Sequence, residues 1–282
     1  MFKAEMVDGL LIDKNVIFPE LCEGCIMGKK HRLAFPTDGR NRTRKIGGVI
    51  HTEVCGPMNI ASLAGSYYFV TFRDDFTGYV VNFMKRKSET FGHLKNYVAK
   101  LQNETGHSII AIRSDNGGEY FSTESKAWLQ SKGIRHESSA PKTPEQNGVA
   151  ERYNRTILES LRCMLHSSKL GLELWAEATA CAVYLLDRVL CSAMETMTPY
   201  KGWHGQKFNL THLRIFGSTA HMHVPKDERS KLDSKSLKCR FIGYSETQKA
   251  FRLFDPSSKK AKISRDVIFR EESGPPRDAV KV

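Results

Sequence analysis

One short apolar run most constrains how this chain can fold. Residues 108–113 read Ser-Ile-Ile-Ala-Ile-Arg, and Gly117 and Gly118 follow soon after. A run this rich in β-branched side chains predicts a buried strand that delivers Asp115 to its carboxyl edge. A helical pattern precedes the run, with apolar residues on one face at Phe91, Leu94, Tyr97, Val98 and Leu101.

The order of the remaining patterns predicts an α/β fold with a mixed five-stranded sheet covered by helices on both faces. Strands are expected near 48–54, 67–74, 79–85, 108–113 and 134–136, and helices over 88–104, 123–132 and from about 144 and 172. Beyond about 205, short β-patterned runs predict a small β module. We expect three parts: 1–45, a zinc-knuckle remnant with a basic linker; 46–200, the core; and 201–282, a basic β-rich module.

Two carboxylates stand at special places in this pattern. Asp115 follows the buried strand, and Glu151 lies near the start of a long amphipathic helix that opens with Thr143-Pro144. Arg155 lies one turn after Glu151 on the same face. By spacing alone, two such acids are usually unrelated surface charges. Together with the surrounding glycines, asparagines and arginines, they suit a site that holds a divalent cation and accepts a phosphodiester.

Several further motifs occur in order along nearly the whole chain. Together they resemble the integrase of copia-type LTR retrotransposons, and the matching stretches are C22-E-G-C25-x-x-G-K-x-H-R, I50-H-T-E-V-C-G-P57, Y68-F-V-T-F-R-D-D-F-T-G-Y79, R113-S-D-N-G-G-E-Y120, P144-E-Q-N-G-V-A-E-R-x-N-R155, L174-W-A-E-A178, H212-L-R-I-F-G217 and R265-D-V-I-F269.

This resemblance implies an RNase H-like core in which three acids bind two Mg²⁺ or Mn²⁺ ions. Such a site processes the 3′ ends of the element's double-stranded DNA and joins them to target DNA. The resemblance also implies action in the nucleus, with a cytoplasmic stage before import, and a homo-oligomer assembled on DNA. The corresponding carboxylates here are Glu53, Asp115 and Glu151.

Glu53 departs from the family, which carries Asp at this place in the strand. The extra methylene adds roughly 1.5 Å of reach, whereas Mg²⁺ demands near-ideal octahedral geometry. A carboxylate misplaced by about 1 Å can cost on the order of a hundredfold in rate, so we expect impaired catalysis. Asp74 and Asp75, at the end of the following strand, are alternative acids, but capping of the next turn is the interpretation we favour.

Cys22 and Cys25 form half of a zinc knuckle, and the resemblance implies a His pair upstream that would complete a Zn²⁺ site. No histidine precedes Cys22, and the nearest candidate is His31 downstream. A closed structural site needs four ligands. We therefore expect no zinc binding by this truncated segment alone.

A formal net charge of +12 and a pI near 9.4 favour polyanionic partners. Asn147, Asn154 and Arg155 match the polar face that holds DNA ends in the family and are candidate DNA contacts, with a solvated helix face as the alternative. Lys142 is a further candidate in the polar loop 138–147, whose counterpart in the family touches the DNA end, although it replaces an aromatic residue expected there. His51 and His136 border the expected site and are interpreted as packing residues.

Seven cysteines in an irregular arrangement do not indicate a disulfide framework, and the most apolar stretch, 174–190, contains charges that disfavour a membrane span. We therefore expect a reducing, intracellular setting and no membrane partner. Three function classes stay open: a metal-dependent polynucleotidyl transferase; a non-catalytic nucleic-acid-binding remnant or co-opted integrase fragment; and an RNase H-type nuclease.

Overall fold

A computed structural model of the chain describes residues 27–28, 43–77, 79–115, 117, 122–138, 148–190, 197–245 and 247–271. The described residues fall into two compact units. The first draws on 31–158 and 183–208, and the second on 159–182 and 209–282. Each unit combines segments that are distant in sequence. The division into 1–45, 46–200 and 201–282 stays a prediction.

The first unit contains a five-stranded mixed sheet. Its strands are β1 (Val49–Cys55), β2 (Tyr68–Asp74), β3 (Tyr79–Met84), β4 (Ala111–Ser114) and β5 (Arg135–Ser138), in the order β3-β2-β1-β4-β5. The pairs β1–β2 and β2–β3 are antiparallel, whereas β1–β4 and β4–β5 are parallel. The mixed five-stranded sheet expected from the sequence is confirmed. Strand β4 begins later than predicted because its ladder with β1 starts only where Ala111 faces Val49.

The helices of the described residues are α1 (Thr90–Thr105), α2 (Thr123–Ser131), α3 (Gly148–Ser168), α4 (Trp175–Leu186) and α5 (Pro199–His204). Helix α1 ends at Gly106, whose φ of 72° lies in the left-handed region that glycine adopts without steric cost. Its amide donates to the carbonyl of Gln102 at 2.9 Å. The predicted window of 88–104 for this helix is confirmed to within two residues.

Strand β1 divides its side chains between two environments. Ile50 and Val54 point to one face and join an apolar core, while His51 and Glu53 point to the other. The core is formed by residues from the strands, the segments just before β4 and β5, and helices α1 and α2, chiefly Ile50, Val70, Phe72, Met84, Leu94, Tyr97, Leu101, Ile109, Ile112, Leu129 and Ile134. Glu53 therefore lies on the polar face of the central strand.

The second unit contains a fully antiparallel five-stranded sheet. Its strands are β6 (Thr219–His223), β7 (Ser236–Tyr244), β8 (Phe251–Asp255), β9 (Lys260–Ser264) and β10 (Val267–Arg270), in the order β10-β6-β7-β8-β9. Ala220, Cys239, Phe241 and Leu253 form its buried centre. The small C-terminal β module is therefore confirmed. No helix among the described residues is long and apolar enough to cross a membrane.

Candidate active site

Glu53 occupies the central strand of the mixed sheet. Its Cα partner in the antiparallel ladder is Thr71 of β2, so the two side chains share one face of the sheet. The Glu53 side chain is partly buried. This placement agrees with the central-strand acid that the sequence motif implies.

Asp115 directly follows β4, the strand that runs parallel to β1. Its Oδ1 accepts a hydrogen bond from the Gly117 N–H at 3.2 Å, which fixes the turn after the strand. Buried Ser114 precedes it, and the Ser114 Oγ lies 2.9 Å from both the Asp115 carbonyl oxygen and His136 Nε2. The structure therefore places Asp115 at the carboxyl edge of the sheet, as predicted.

Glu151 lies in the first turn of α3 and is exposed. The structure brings the three predicted acids into one electrostatic group. Burial, followed by the charges of Glu151 and Asp115, raises the pKa of the Glu53 carboxyl to about 7. Like charges raise the pKa of a carboxyl only when they lie near enough to repel its ionised form.

This donor set fits a divalent cation in its chemistry. Carboxylate oxygens are the ligands that Mg²⁺ and Mn²⁺ prefer, and a bound cation would offset both the burial and the neighbouring negative charges that raise the pKa of Glu53. The three side chains are not closed into a cage: within the described residues, no group of three or more His, Cys, Asp or Glu side chains is arranged to hold a metal ion. The assignment of Glu53, Asp115 and Glu151 as metal ligands stays a prediction.

Asn154 is buried, whereas both of its predicted roles, a DNA contact or part of a solvated helix face, required an exposed side chain. Only 5% of the residue is exposed, and its Nδ2 donates to Glu53 Oε2 at 3.1 Å. Its Oδ1 accepts a hydrogen bond from Thr71 Oγ1 at 3.0 Å. A direct contact with DNA remains a prediction, but the amide already has partners on both of its ends.

Thr71 is the site residue that the sequence analysis missed. The signal for Asn154 was present, because residues three apart on a helix share a face and Asn154 follows Glu151 by that spacing. No such signal marked Thr71. Its role depends on the β1–β2 register, which sets it opposite Glu53.

Arg155 is exposed on α3, and its role as a DNA contact stays a prediction. Lys142, Asn147, Cys22 and Cys25 lie outside the described residues.

Asp74 caps a turn, as favoured from the sequence. Its Oδ1 accepts hydrogen bonds from the Phe76 N–H at 3.0 Å, the Thr77 N–H at 2.8 Å and Thr77 Oγ1 at 3.0 Å, and its Oδ2 accepts one from the Gly47 N–H at 2.7 Å. Asp75 instead faces His51, with Oδ1 and Nε2 3.2 Å apart. Both acids are thus occupied by structural contacts, and His51 is a buried packing residue with 2% exposure.

Comparison with known proteins identifies two matching families. Residues 44–144 match the integrase core domain, and residues 218–282 match the retroviral polymerase SH3-like domain. The chain is 44% identical over 251 residues to the retrovirus-related Pol polyprotein from transposon TNT 1-94 of Nicotiana tabacum. The matched region covers 89% of this chain and 19% of that protein.

A second relative is the retrovirus-related Pol polyprotein from transposon RE1 of Arabidopsis thaliana. It is 33% identical over 258 residues, covering 90% of this chain and 17% of that protein. The chain therefore spans less than a fifth of the length of these curated relatives. Among solved structures, a chain of the simian T-cell lymphotropic virus intasome in complex with PP2A regulatory subunit B56 gamma is similar, with 18% identity and a TM-score of 0.49 over 90% of this chain and 88% of that one.

Proposed function

The chain belongs to the integrase-core family found in Pol polyproteins of copia-type retrotransposons, and we propose that it carries out DNA integration by metal-dependent 3′-end processing and strand transfer. The observation that supports this proposal is that burial, followed by the nearby charges of Glu151 and Asp115, raises the pKa of Glu53 to about 7. Three acids from a central strand, a strand end and a helix are held near one another although mutual repulsion opposes it. Such an arrangement is expected of a site that is completed by cations.

Glu53, Asp115 and Glu151 are the residues that would hold the ions, two Mg²⁺ or Mn²⁺. When bound, such ions activate the attacking hydroxyl or water and stabilise the leaving oxygen of an in-line displacement at phosphorus. The chain's own contribution is to fix the carboxylates. The Gly117 N–H holds Asp115 Oδ1, and the Asn154 amide holds Glu53 Oε2.

We propose double-stranded DNA as the partner, both element ends and target DNA. The net charge of +12 supports a polyanionic ligand. Arg155 is exposed one helical turn after Glu151, where a guanidinium is suited to a phosphate next to the acids. Asn147 is a proposed contact on grounds of resemblance, and Lys142 is proposed as a cation in the loop whose counterpart in the family touches the DNA end. A homo-oligomer assembled on DNA and a nuclear site of action belong to the same proposal.

We further propose that Glu53 in place of Asp impairs the reaction. The extra methylene moves the carboxylate by roughly 1.5 Å relative to that of Asp, and its raised pKa favours a bound proton over a bound cation near neutral pH. Both features weaken the binding of ions by the site.

The test is the joining of a labelled oligonucleotide to plasmid DNA in Mg²⁺ or Mn²⁺. We expect weak joining by the parent protein and none by Asp115→Asn. Glu124→Gln is the matched control, because it also converts an acid to an amide but lies at an exposed ion pair with Lys95. Joining that survives Asp115→Asn would refute the assignment of the site.

Glu53 also favours one alternative function. If its carboxyl stays protonated and bound to Asn154, the chain is a non-catalytic nucleic-acid-binding protein. No joining by the parent, by Asp115→Asn or by Glu53→Asp, together with retained DNA binding, would identify that case. Cleavage of RNA–DNA hybrids without joining would instead identify an RNase H-type nuclease.

A further inference from the structure

A chain of two hydrogen bonds leads from β2 through helix α3 to the central strand. Thr71 Oγ1 donates to Asn154 Oδ1 at 3.0 Å, and Asn154 Nδ2 donates to Glu53 Oε2 at 3.1 Å. Thr71 and Asn154 are 2% and 5% exposed, so water competes little for either bond. Thr71 and Asn154 are 83 positions apart in the sequence, and Glu53 and Asn154 are 101 positions apart.

When Glu53 is ionised, as it must be to bind a cation, the direction of these bonds is fixed by the groups themselves. The Thr71 hydroxyl has a single hydrogen, and the Asn154 oxygen at 3.0 Å is a nearer acceptor than the Glu53 carbonyl at 3.4 Å. An Asn154 amide turned by half a rotation would set its oxygen against the Glu53 carboxylate, with two acceptors opposed. Thr71 therefore orients the amide, and the amide holds the carboxylate.

We propose that Asn154 and Thr71 are positioning residues that fix the carboxylate of Glu53 for cation binding, Asn154 by direct contact and Thr71 through Asn154. The role for cations rests on the proposed function. Hydrogen bonds that orient a ligand are part of most metal sites, and their loss typically costs about 10- to 100-fold in metal affinity.

The length of Glu53 is matched to this arrangement. Replacing it by Asp shortens the side chain by roughly 1.5 Å, which takes a bond of 3.1 Å out of hydrogen-bond range. Asn154 then loses its charged partner. The contribution of Asn154 should therefore depend on Glu at position 53.

A double-mutant cycle without metal tests the contact itself. The four proteins are the parent, Asn154→Ala, Glu53→Asp and the double variant, each measured as the thermal midpoint in EDTA. We expect the loss caused by Asn154→Ala to shrink by about 3 °C or more in the Glu53→Asp background. Equal losses in both backgrounds would overturn the proposal.

Binding of Mn²⁺, followed by electron paramagnetic resonance, tests the positioning. We expect affinity to fall about tenfold in Asn154→Ala and about threefold in Thr71→Val, and to return to the parent value in Thr71→Ser. Thr179→Val is the matched control. Thr179 is also fully buried, but its hydroxyl donates to the Trp175 carbonyl at 2.8 Å within helix α4, so only stability should change.

The two proposals fail in different ways. If the parent binds Mn²⁺ no better than Asp115→Asn does, the metal-dependent function fails, and the metal-free cycle still decides whether Asn154 holds Glu53. If the parent binds Mn²⁺ and both Asn154→Ala and Thr71→Val bind it equally well, the positioning role fails while the metal site stands.

Discussion

Arg113 of β4 and Glu137 of β5 are directly opposite each other in a parallel ladder, and Arg113 Nη2 donates to Glu137 Oε2 at 2.7 Å. The Arg113 Nε donates to the same oxygen at 3.2 Å. Both side chains are about one third exposed. This pair ties the edge strand β5 to β4 just before β4 delivers Asp115.

We expect Glu137→Ala to lower the thermal midpoint by about 2–4 °C, because a two-bond ion pair that is partly shielded contributes on the order of 1 kcal/mol. Differential scanning fluorimetry measures the change. Glu124→Ala removes an ion pair to Lys95 in which the acid is 75% exposed, and this control should leave the midpoint unchanged. Equal shifts in both variants would contradict the prediction that the Arg113–Glu137 pair stabilises the fold more than the Lys95–Glu124 pair does.

Glu53 should make the stability of the metal-free protein depend on pH. Burial, followed by the charges of Glu151 and Asp115, raises the pKa of its carboxyl in the folded protein from the ordinary value of 4.5 to about 7. The folded state therefore holds the proton more tightly than the unfolded state, so stability falls as pH rises between these two values. The penalty is absent below the unfolded pKa and complete above the folded one.

We expect Glu53→Gln to remove this penalty. In EDTA, its thermal midpoint relative to the parent should be roughly 3 °C higher at about pH 8 than at about pH 5. Thermal scans of both proteins at the two pH values measure the difference. If the difference in thermal midpoint between Glu53→Gln and the parent is the same at both pH values, ionisation of Glu53 does not destabilise the folded protein.

Asp74 should matter for folding and not for catalysis. Its carboxylate is fully buried and accepts four hydrogen bonds, including one from the Gly47 N–H at 2.7 Å. Asp74→Asn replaces one acceptor by a donor that faces another donor, so we expect a loss of about 2 kcal/mol in the free energy of unfolding. Urea denaturation measures it. A loss of Mn²⁺ binding in the folded variant would contradict the structural role.

The sequence was sufficient where a residue's role depends on its own element. The apolar run ending before Asp115 and the helix carrying Glu151 could each be predicted from local periodicity. The strand predicted near 48–54 likewise placed Glu53 on β1. Contacts set by the packing of distant elements could not be predicted in this way. The three-residue spacing placed Asn154 on the face of α3 that carries Glu151, but the sequence does not show that this face packs against Glu53 and Thr71.

Arg155 should contribute one phosphate contact if the acids bind DNA ends. We expect Arg155→Gln to weaken DNA binding on all sequences and to reduce the slope of log affinity against log salt by about 1. Fluorescence anisotropy over a salt series measures the slope. Lys100→Gln is the control, because Lys100 lies on α1 in an i,i+4 pair with Glu104. An unchanged slope for Arg155→Gln would show that Arg155 does not contact a DNA phosphate.

Glu53→Asp should raise the rate of metal-dependent DNA joining, because it restores the shorter acid that the family carries in this strand. Shortening the side chain by roughly 1.5 Å removes the methylene that misplaces the carboxylate, and we expect this gain to outweigh the loss of the hydrogen bond from Asn154. Because a displacement of about 1 Å can change the rate on the order of a hundredfold, we expect Mg²⁺-dependent joining to rise at least about tenfold. The same joining assay, run on Glu53→Asp with and without Asn154→Ala, measures the gain. Since Asn154 no longer reaches the shorter side chain, its removal should then change the rate little. A fall in joining for Glu53→Asp would instead mean that the chain works through Glu53 held by Asn154, and that the pair has replaced the shorter acid.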